Sequence, residues 1–406
     1  MISVAVMGYG TVGSGVVEII EKNKKEVGEK SKDEVGVKYI LDLREFPGDP
    51  YEDKVIHDFD IIANDPEVDI VVEAMGGIDI AYKYTKGALL KGKSVCTSNK
   101  AVVAEHGPEL LQIARENNCS YLFEASVGGG IPILRPLNTS FTGEHIEEIT
   151  GILNGTTNYM LTKMDEEGRE YDDVLKEAQD KGYAERNPEA DVCGHDACRK
   201  IAILTSLGSG KTVYYKDIRT EGITQIDKKD FEYAKKLNGS IKLLGLSRDV
   251  DGKILAIVAP FIVSDKSPLY AVRGVFNAIM VKGNMVGNTM FYGQGAGKLA
   301  TASAIVADIV DCALNKGKTI DCTWKSEKAQ MVDDREKVFE YFVRVKKDAF
   351  AELSECLGIR EKITIDTADD EIGFVSAAVS EDKFFEAKDK YSNSMINYIR
   401  ILDTEN

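Results

Sequence analysis

The sequence predicts an α/β protein in which a doubly wound parallel sheet comes first, a mixed α+β domain follows, and a βαββαβ unit ends the chain. Three observations support this division. An apolar, β-branched run, Ile2 to Met7, leads directly into a glycine-rich turn. Strand and helix patterns then alternate as far as about residue 124, which is typical of parallel sheets. The segment 338–406 has the order strand, helix, strand, strand, helix, strand.

The composition argues against several classes of protein. The 406 residues are enough for two or three domains, and a formal net charge of −16 argues against nucleic acids and membranes as partners. No apolar run reaches the ~18 residues of a membrane-spanning helix. The start, MISVAVMGYG, lacks the basic residues and long apolar core of a secretory signal. Seven cysteines, an odd number, fit reduced thiols, so we expect a cytoplasmic protein.

The glycine-rich turn GYGTVG predicts a dinucleotide site of the Rossmann type. Gly8 permits the tight turn, Gly10 lets the backbone approach a pyrophosphate, and Gly13 allows the helix to pack closely on the strand. The helix that begins with Thr11 and Val12 is expected to bind the phosphates at its N-terminus.

The second strand, Val37 to Leu43, ends where the ribose of a dinucleotide is recognised. Asp42 at this point favours NAD, whereas Arg44 favours the phosphate of NADP. Because both are present, the choice between NAD and NADP stays open. The alternative is that one or both are solvated loop charges.

The rest of the first sheet carries further polar residues at its carboxyl edge. We predict strands at 69–73, 94–97 and 121–124 and helices at 82–91 and 108–117. Ser98 and Lys100 follow the strand 94–97, where ligands bind in open parallel sheets. Lys100 therefore contacts cofactor or substrate, unless it is simply a surface lysine that leads a helix.

Two loops in the middle of the chain allow two interpretations each. On the residues alone, the glycine-rich segment 124–132 is best read as a hinge, although the Glu124 carboxylate and backbone carbonyls also suit a hard cation. A strand is predicted at 146–153. The polar turn 154–158, which contains Thr156, offers donors to a carboxylate or caps a helix.

The stretch 178–200 concentrates charges next to an apolar run. Gly182 opens a loop, and Glu185, Asp191, Asp196 and Lys200 follow within sixteen residues. If 190–207 is one helix, Asp196 and Lys200 share the face that Ile203 and Leu207 continue, which points into the protein. Buried charges are costly unless they are paired or used, so an active-site wall is favoured over a surface ion pair. We interpret Cys193, His195 and Cys198 as packing residues, since they fit no zinc spacing well.

The second domain continues with strands at 254–263, 271–280 and 288–292, a pattern that predicts an antiparallel or mixed sheet for substrate binding and dimer contacts. The sequence GQGAG at 293–297 leads into an apolar helix, 300–312, which we expect to return to the nucleotide domain and bring Gly295 near the nicotinamide. The polar segment 325–337 is predicted to be a linker.

Six motifs resemble those of homoserine dehydrogenases and together span roughly residues 1–325. The segment 178–200 follows the family pattern without a break, and the others are GYGTVG, TSNKAVVAEHG at 97–107, EASVGGGIP at 124–132, GILNGTTNYM at 151–160 and GQGAGKLATASAIVADI at 293–309. Ala300 replaces the proline that is usual in the last motif.

The resemblance implies a reversible, NAD(P)-dependent oxidation of L-homoserine to L-aspartate 4-semialdehyde. It assigns proton transfer to Lys200 with Asp196, and substrate binding to Glu185, Asp191, Thr156 and Lys100. The implied cofactor contacts are Gly8, Gly10, Thr11, Val12, Gly13, Arg44, Ser98, Lys100, Gly182 and Gly295. It also implies a Na⁺ or K⁺ site formed by Glu124 with the carbonyls of Val127, Gly129 and Ile131, which replaces the hinge interpretation.

The C-terminal unit resembles, more weakly, the ACT regulatory domain. Its segment 347–353, KDAFAEL, lacks the Pro-Gly of the usual amino-acid-binding turn, which argues against threonine inhibition and for a role in assembly. The predicted domains are dinucleotide-binding (1–133 and 296–324), catalytic and dimerisation (134–295), linker (325–337) and ACT-like (338–406). We expect a homodimer or homotetramer. The alternatives are another amino-acid or semialdehyde dehydrogenase and an inactive nucleotide sensor.

Overall fold

A six-stranded parallel sheet forms the start of the molecule in this computed structural model, which describes residues 1–402. Its strands are β1 (Ile2–Met7), β2 (Val35–Leu41), β3 (Val55–Ile56), β4 (Ile70–Glu73), β5 (Ser94–Thr97) and β6 (Tyr121–Leu122). Its helices are α1 (Thr11–Lys22), α2 (Lys24–Ser31), α3 (Phe59–Asn64), α4 (Asp79–Leu90) and α5 (Lys100–Glu116). The order β3-β2-β1-β4-β5-β6 confirms the predicted Rossmann-type sheet. Its switch point lies between β1 and β4, where ligands bind in such sheets.

A mixed sheet and its helices follow. The elements are α6 (Leu134–Thr139), β7 (Ile146–Ile152), α7 (Gly155–Glu167), α8 (Tyr171–Asp180), α9 (Glu189–Val192), α10 (His195–Ser209), β8 (Arg219–Thr220), α11 (Lys228–Lys236), β9 (Gly239–Val250), β10 (Lys253–Ser264), β11 (Phe276–Gly283) and β12 (Gly287–Gln294). The strand order is β12-β11-β7-β9-β10. The long strand β9 was not predicted, because its first nine residues are buried and show no alternation of exposed and buried positions.

Helix α12 (Lys298–Leu314) returns to the first sheet and packs against α1. A Cβ atom at Gly15 of α1 would lie only 2.9 Å from the carbonyl oxygen of Lys298, so the two helices approach closely because Gly15 has no side chain. Lys298 also pairs with Glu18 at 2.8 Å. The segment 293–297 therefore lies beside the helix that follows the glycine turn.

The C-terminal elements extend the mixed sheet. They are β13 (Val338–Phe339), β14 (Tyr341–Lys346), α13 (Phe350–Leu357), β15 (Ile359–Ile363), β16 (Glu371–Ser376), β17 (Val379–Ser380), α14 (Glu381–Lys390) and β18 (Met395–Ile401). The order β18-β14-β16-β15, with antiparallel neighbours, is a ferredoxin-like arrangement. Strand β18 pairs in parallel with β10, so this unit and the second domain share one sheet. Residues 403–406 of the predicted C-terminal domain lie outside the described residues.

Two buried arginines join the C-terminal unit to the second domain. Arg400 is 1% exposed, and its guanidinium contacts Glu221 at 2.8 Å and Glu381 at 2.5 Å. Arg344 pairs in the same way with Asp230 at 2.8 Å and with Glu371 at 3.1 Å. Since breaking such a pair would leave a charge buried without a partner, these contacts fix the unit on the segment 221–230.

The segment 325–337 has no helix or strand of its own but is held against the second domain. Bridges join Lys328 to Thr212 and Met331 to Ile254, and Val332 is buried. Its polar composition suggests a free linker, whereas Ala329, Val332 and Lys337 are buried. The segment therefore fixes the C-terminal unit in place along the edge of the sheet.

Helix α5 begins eight residues earlier than predicted. We expected the start at Pro108, but the helix begins at Lys100 and Pro108 lies inside it. The side chain of Asn99 caps the first turn by accepting a hydrogen bond from the backbone N–H of Val102 at 3.2 Å. Lys100 is consequently held on the first turn of a regular helix at the carboxyl edge of the sheet. Within residues 1–402, none of the helices combines the length and apolar character needed to span a membrane.

Candidate active site

The glycine turn after β1 leaves open space for a ligand. Gly8 has φ +92°, and a Cβ atom there would lie 2.7 Å from the carbonyl oxygen of Ala74. A Cβ atom at Gly13 would lie 1.8 Å from the carbonyl oxygen of Gly8, so both positions require glycine. At Gly10, by contrast, no atom lies within 4 Å of the Cβ position. Thr11, which is exposed, and Val12 begin α1 beside this space.

Asp42 and Arg44 lie together at the edge of the glycine turn. The backbone N–H of Tyr9 donates to the Asp42 carboxylate at 2.8 Å, and the Arg44 guanidinium pairs with that carboxylate at 3.0 Å. Hydrogen bonding to Arg44 holds the pKa of the Asp42 carboxyl well below its usual range, although burial opposes this. The arginine side chain is 61% exposed. The ribose end of the site therefore contains a fixed anion with a largely exposed cation beside it.

The Asp196 carboxylate lies between two lysines from different domains. One oxygen accepts a hydrogen bond from Lys200 Nζ at 2.7 Å, and the other lies 3.1 Å from Lys100 Nζ. Lys200 Nζ also donates to the carbonyl oxygen of Leu153 at 2.7 Å. Burial disfavours the ionised form of Asp196, but Lys200, Lys100 and Asn154 outweigh it and hold the pKa of this carboxyl well below its usual range. The structure thus brings together three of the predicted site residues.

Asn154 connects this cluster to Asp191. Its side-chain nitrogen donates to Asp191 at 2.7 Å and to Asp196 at 2.9 Å, while its oxygen caps α7 by accepting from the N–H of Thr157 at 2.8 Å. Burial raises the pKa of the Asp191 carboxyl, against the hydrogen bond from Asn154. From the sequence, this turn was expected to cap a helix or to offer donors to a carboxylate, and Asn154 was not predicted to belong to the site. The missed signal was a polar turn directly after a buried strand.

The predicted single helix over 190–207 is wrong, because the chain breaks it at Gly194. This glycine has φ +82°, a left-handed conformation that separates α9 from α10. Asp191 therefore lies on the short helix α9, whereas Asp196 and Lys200 lie on α10. The break turns Asp191 toward Asn154 instead of leaving it on a continuous helix.

Glu185 and Gly182 lie outside the cluster in this structure. Both are exposed, in the loop between α8 and α9. The Thr156 hydroxyl donates to the carbonyl oxygen of Tyr183 at 2.6 Å, which ties this loop to the start of α7. Ser98 lies next to Lys100, with its N–H 3.4 Å from the carbonyl oxygen of Glu73. We call the region where α5 meets α10, at the pair of Lys100 and Asp196, the cleft. Thr156 and Ser98 each lie two residues along the chain from a member of this cluster, whereas Glu185 is in solvent.

The loop after β6 is buried, which is unlike a free hinge. Both oxygens of Glu124 accept backbone N–H groups of residues 133–135, at 2.6–2.9 Å, and thereby anchor α6. Burial raises the pKa of the Glu124 carboxyl, while these hydrogen bonds lower it. Within residues 1–402 the carbonyl oxygens of Val127, Gly129 and Ile131 accept no hydrogen bond. Over the same residues, no group of three or more His, Cys, Asp and Glu side chains is arranged to bind a metal ion.

Comparisons with known proteins identify the family of this chain. The family model for homoserine dehydrogenase matches residues 132–310, and that for its NAD-binding domain matches residues 8–124. The Bacillus subtilis homoserine dehydrogenase is 44% identical over 313 residues, which are 76% of this chain and 72% of the relative. This chain belongs to the homoserine dehydrogenase family. It is therefore an NAD(P)-dependent oxidoreductase, as the sequence predicted.

Solved structures of the family share the fold. A homoserine dehydrogenase from Thiobacillus denitrificans has a TM-score of 0.92 and 31% identity, covering 99% of this chain and 98% of that one. A hyperthermophilic archaeal homoserine dehydrogenase in complex with NADPH has a TM-score of 0.65 and 29% identity, covering 77% of this chain and 98% of its own. The match over nearly the whole length to the former extends the family likeness to the C-terminal unit.

The segment beneath α9 fixes the position of Asp191. The N–H of Ile223 donates to the carbonyl oxygen of Val192 at 2.8 Å, and a Cβ atom at Gly222 would lie 2.1 Å from that same oxygen. Glu221, the residue before Gly222, pairs with Arg400 of the C-terminal unit. Helix α9 consequently packs on the backbone of residues 221–223, which the pair of Glu221 and Arg400 ties to the C-terminal unit.

We expect Gly222→Ala to lower kcat/KM for homoserine by about tenfold or more, because the added methyl group displaces α9 and misplaces Asp191. Steady-state kinetics measure the loss. Gly143→Ala is the matched control, since Gly143 is exposed and has no atom within 4 Å of its Cβ position. Equal kcat/KM in both variants would mean that the contact with Val192 does not set the site geometry.

Proposed function

We propose that the chain interconverts L-homoserine and L-aspartate 4-semialdehyde with Lys200 as the proton acceptor and donor. The observation that carries this proposal is the pairing of Lys200 with Asp196 and the Leu153 carbonyl in a nearly buried cluster. An ammonium group has three N–H donors, and two of them are used here. The third direction is left for the oxygen of the substrate.

The same geometry suits Lys200 for both directions of the reaction. After losing one proton, Nζ can keep both hydrogen bonds and direct its lone pair at the substrate hydroxyl, from which it takes the proton. In the reverse direction the ammonium returns that proton to the carbonyl oxygen. A bound nicotinamide supplies the hydride acceptor or donor. Asp196 maintains the orientation of Lys200, and Lys100 adds a second positive charge beside the reacting oxygen.

The charged ends of homoserine have separate partners. We assign the ammonium to Asp191, a carboxylate held at the cluster by Asn154, and to Glu185, whose exposed loop must move to reach it. The substrate carboxylate is assigned to the first N–H groups of α7 and to Thr156, because the N-terminus of a helix favours anions. This division explains why acidic side chains and a helix N-terminus line the same cleft.

The dinucleotide is NAD or NADP, bound along the edge formed by Gly8, Gly10, Thr11, Val12 and Gly13. The Asp42 carboxylate suits the ribose hydroxyls of NAD. The Arg44 side chain is largely exposed, so it can break its pair with Asp42 and bind the phosphate of NADP instead. Ser98, Lys100, Gly182 and Gly295 are proposed as contacts nearer the nicotinamide.

We propose a Na⁺ or K⁺ site at the loop after β6. The residues fit a cation, because the carbonyl oxygens of Val127, Gly129 and Ile131 are without hydrogen-bond donors within residues 1–402 and the loop is buried. The carboxylate of Glu124 supplies negative charge. An ion at this point would stabilise the loop that contacts 294–296 without taking part in proton transfer.

An apolar patch on β11 and β12 supports a homodimer or homotetramer. Phe276 and Tyr292 stack with ring centroids 5.2 Å apart, yet Tyr292 is 54% exposed, and Met290 is exposed beside them. Met285 and Val286, at the tip of the hairpin, are also exposed. A contiguous apolar patch at the edge of a sheet is typical of a subunit interface.

We propose further that the C-terminal unit, 338–406, is an ACT-like domain with a role in assembly, and that the enzyme is cytoplasmic. The ferredoxin-like strand order supports the former, and the seven free cysteines support the latter. The buried pairs of Arg344 and Arg400 agree with an assembly role. Inhibition of the enzyme by added threonine would contradict a role of the C-terminal unit in assembly alone. Recovery of the protein from a membrane or secreted fraction would contradict a cytoplasmic location.

With wild-type protein we expect L-homoserine-dependent reduction of NAD⁺ or NADP⁺, and Lys200→Ala should reduce kcat by about 10²–10⁴-fold while cofactor affinity is kept. Absorbance of the reduced cofactor measures the rate with each dinucleotide. Lys211→Ala is the control. Lys211 lies just after the end of α10, the helix that carries Lys200, and it pairs with Glu327. Normal turnover in Lys200→Ala would exclude Lys200 as the base. Activity with a different amino alcohol and none with homoserine would favour another dehydrogenase, and no turnover at all would favour an inactive sensor.

Replacing sodium or potassium chloride by choline chloride at constant ionic strength should lower the rate several-fold, because the loop after β6 loses its ion. Adding Na⁺ or K⁺ back should restore the rate. The initial rate with saturating homoserine and cofactor is the measurement. Identical rates in all three salts would refute the cation site while leaving the role of Lys200 untouched.

The mass in solution should be two or four times the 44.6 kDa of the chain. Phe276→Lys combined with Tyr292→Lys should yield a 44.6 kDa species, because charges on the apolar patch oppose its burial. Ile80→Lys, at another exposed apolar position, is the control. Sedimentation velocity gives the mass, and a monomeric wild type would contradict the proposal.

A further inference from the structure

Asn277 on β11 is a buried side chain with an unpaired oxygen in the described part of the chain. It is 1% exposed, and its Oδ1 has no hydrogen-bond partner within residues 1–402. The nearby Asn158 also has an unpaired Oδ1 within residues 1–402, but its nitrogen donates to the carbonyl oxygens of Gly274 and Phe276, both at 3.0 Å. Asn158 is thus used to anchor a loop. A buried carboxamide with a free acceptor is costly unless a ligand or a neighbour pairs with it.

The side chain of Asn277 lies where three loops of the cleft meet. A Cβ atom at Gly295 would lie 2.0 Å from Asn277 Nδ2, so Gly295 leaves room for this carboxamide by having no side chain. On another side, Oδ1 lies 3.6 Å from the Cβ position of Gly155, the first residue of α7. The third loop is the one after β6, since the N–H of Gly130 donates to the carbonyl oxygen of Gln294 at 3.1 Å.

This position is next to the proton-transfer cluster. Gly155 follows Asn154, whose side chain donates to Asp196, the partner of Lys200. Gly295 precedes α12, which packs on α1 beside the glycine turn. In a hydride transfer the nicotinamide ring must lie against the carbon whose oxygen meets Lys200. Because Gly155 adjoins the cluster and Gly295 adjoins the helix packed on α1, a ring held between the two would lie near their junction.

We propose that Asn277 binds the carboxamide of the nicotinamide ring and so fixes the face of the ring toward the substrate. A primary carboxamide offers an N–H₂ donor and a C=O acceptor, which match Oδ1 and Nδ2 of Asn277. A carboxylate does not fit, because it has no proton to give to the buried Oδ1. The substrate ammonium already has acidic partners in the proposed function, on which this inference rests. Asn277 is a cofactor-positioning residue, separate from proton transfer.

The test compares dinucleotides that differ only at the nicotinamide. Asn277→Ala should bind NADH and NADPH roughly 5–50-fold more weakly than wild type, as expected for an unpaired buried polar group in the complex. Its affinity for ADP-ribose, which lacks the nicotinamide, should be unchanged. Titration calorimetry gives both constants without turnover. Asn288→Ala, at an exposed asparagine on the neighbouring strand, is the matched control.

A second comparison tests the hydrogen bond itself. An analogue with acetyl in place of the carboxamide keeps the acceptor but loses the N–H₂ donor. Wild type should prefer NAD⁺ to this analogue, and Asn277→Ala should lose that preference. Unchanged NADH binding, equal loss for ADP-ribose, or an effect on the KM of homoserine alone would overturn the inference. Failure of the wild type to bind any dinucleotide or to turn over homoserine would instead refute the proposed function, so the two failures are distinguishable.

Discussion

The Asp196 carboxylate, held between Lys100 and Lys200, is the contact on which the active site depends. One lysine comes from the parallel-sheet domain and the other from the mixed domain, so a single anion joins the two halves of the cleft. A carboxylate in such a buried position is tolerated only because two ammonium groups and the Asn154 amide surround it. The cluster contains two lysines and the carboxyl groups of Asp191 and Asp196, so Lys200 can lose and regain a proton beside the second positive charge of Lys100.

The support beneath this cluster extends far from the chemistry. Helix α9 rests on the backbone at Gly222, the neighbouring Glu221 pairs with Arg400, and Arg400 lies on the last strand of the chain. The C-terminal unit therefore contributes to the geometry of the site without lining it. These contacts act by holding α9, and with it Asp191, in place. They do not act through the long-range field of the Arg400 charge, which Glu221 and Glu381 neutralise.

The sequence predicted those features that depend on local rules and missed those that depend on packing. The glycine turn after β1 and the i,i+4 pair of Asp196 and Lys200 follow from local spacing, and the structure contains both. The break at Gly194 could not be read from periodicity, because the residues on both sides suit a helix. The dual role of Asn154 and the isolation of Asn277 appear only when β7, α7 and β11 are assembled. Glu185 shows the opposite case, since its motif assigns it to the substrate while its loop lies in solvent.

The outer edge of β10 carries a further consequence of the shared sheet. Three short segments cover it in turn: Met331 beside Ile254, β8 beside residues 257–258, and β18 beside residues 261–262. An uncovered strand edge can recruit strands from other molecules and start aggregation. Because two of the three covering segments lie after residue 324, removing that part of the chain would expose most of this edge. The segment 325–337 and the C-terminal unit thus together protect the sheet from self-association, in addition to any role in catalysis or assembly.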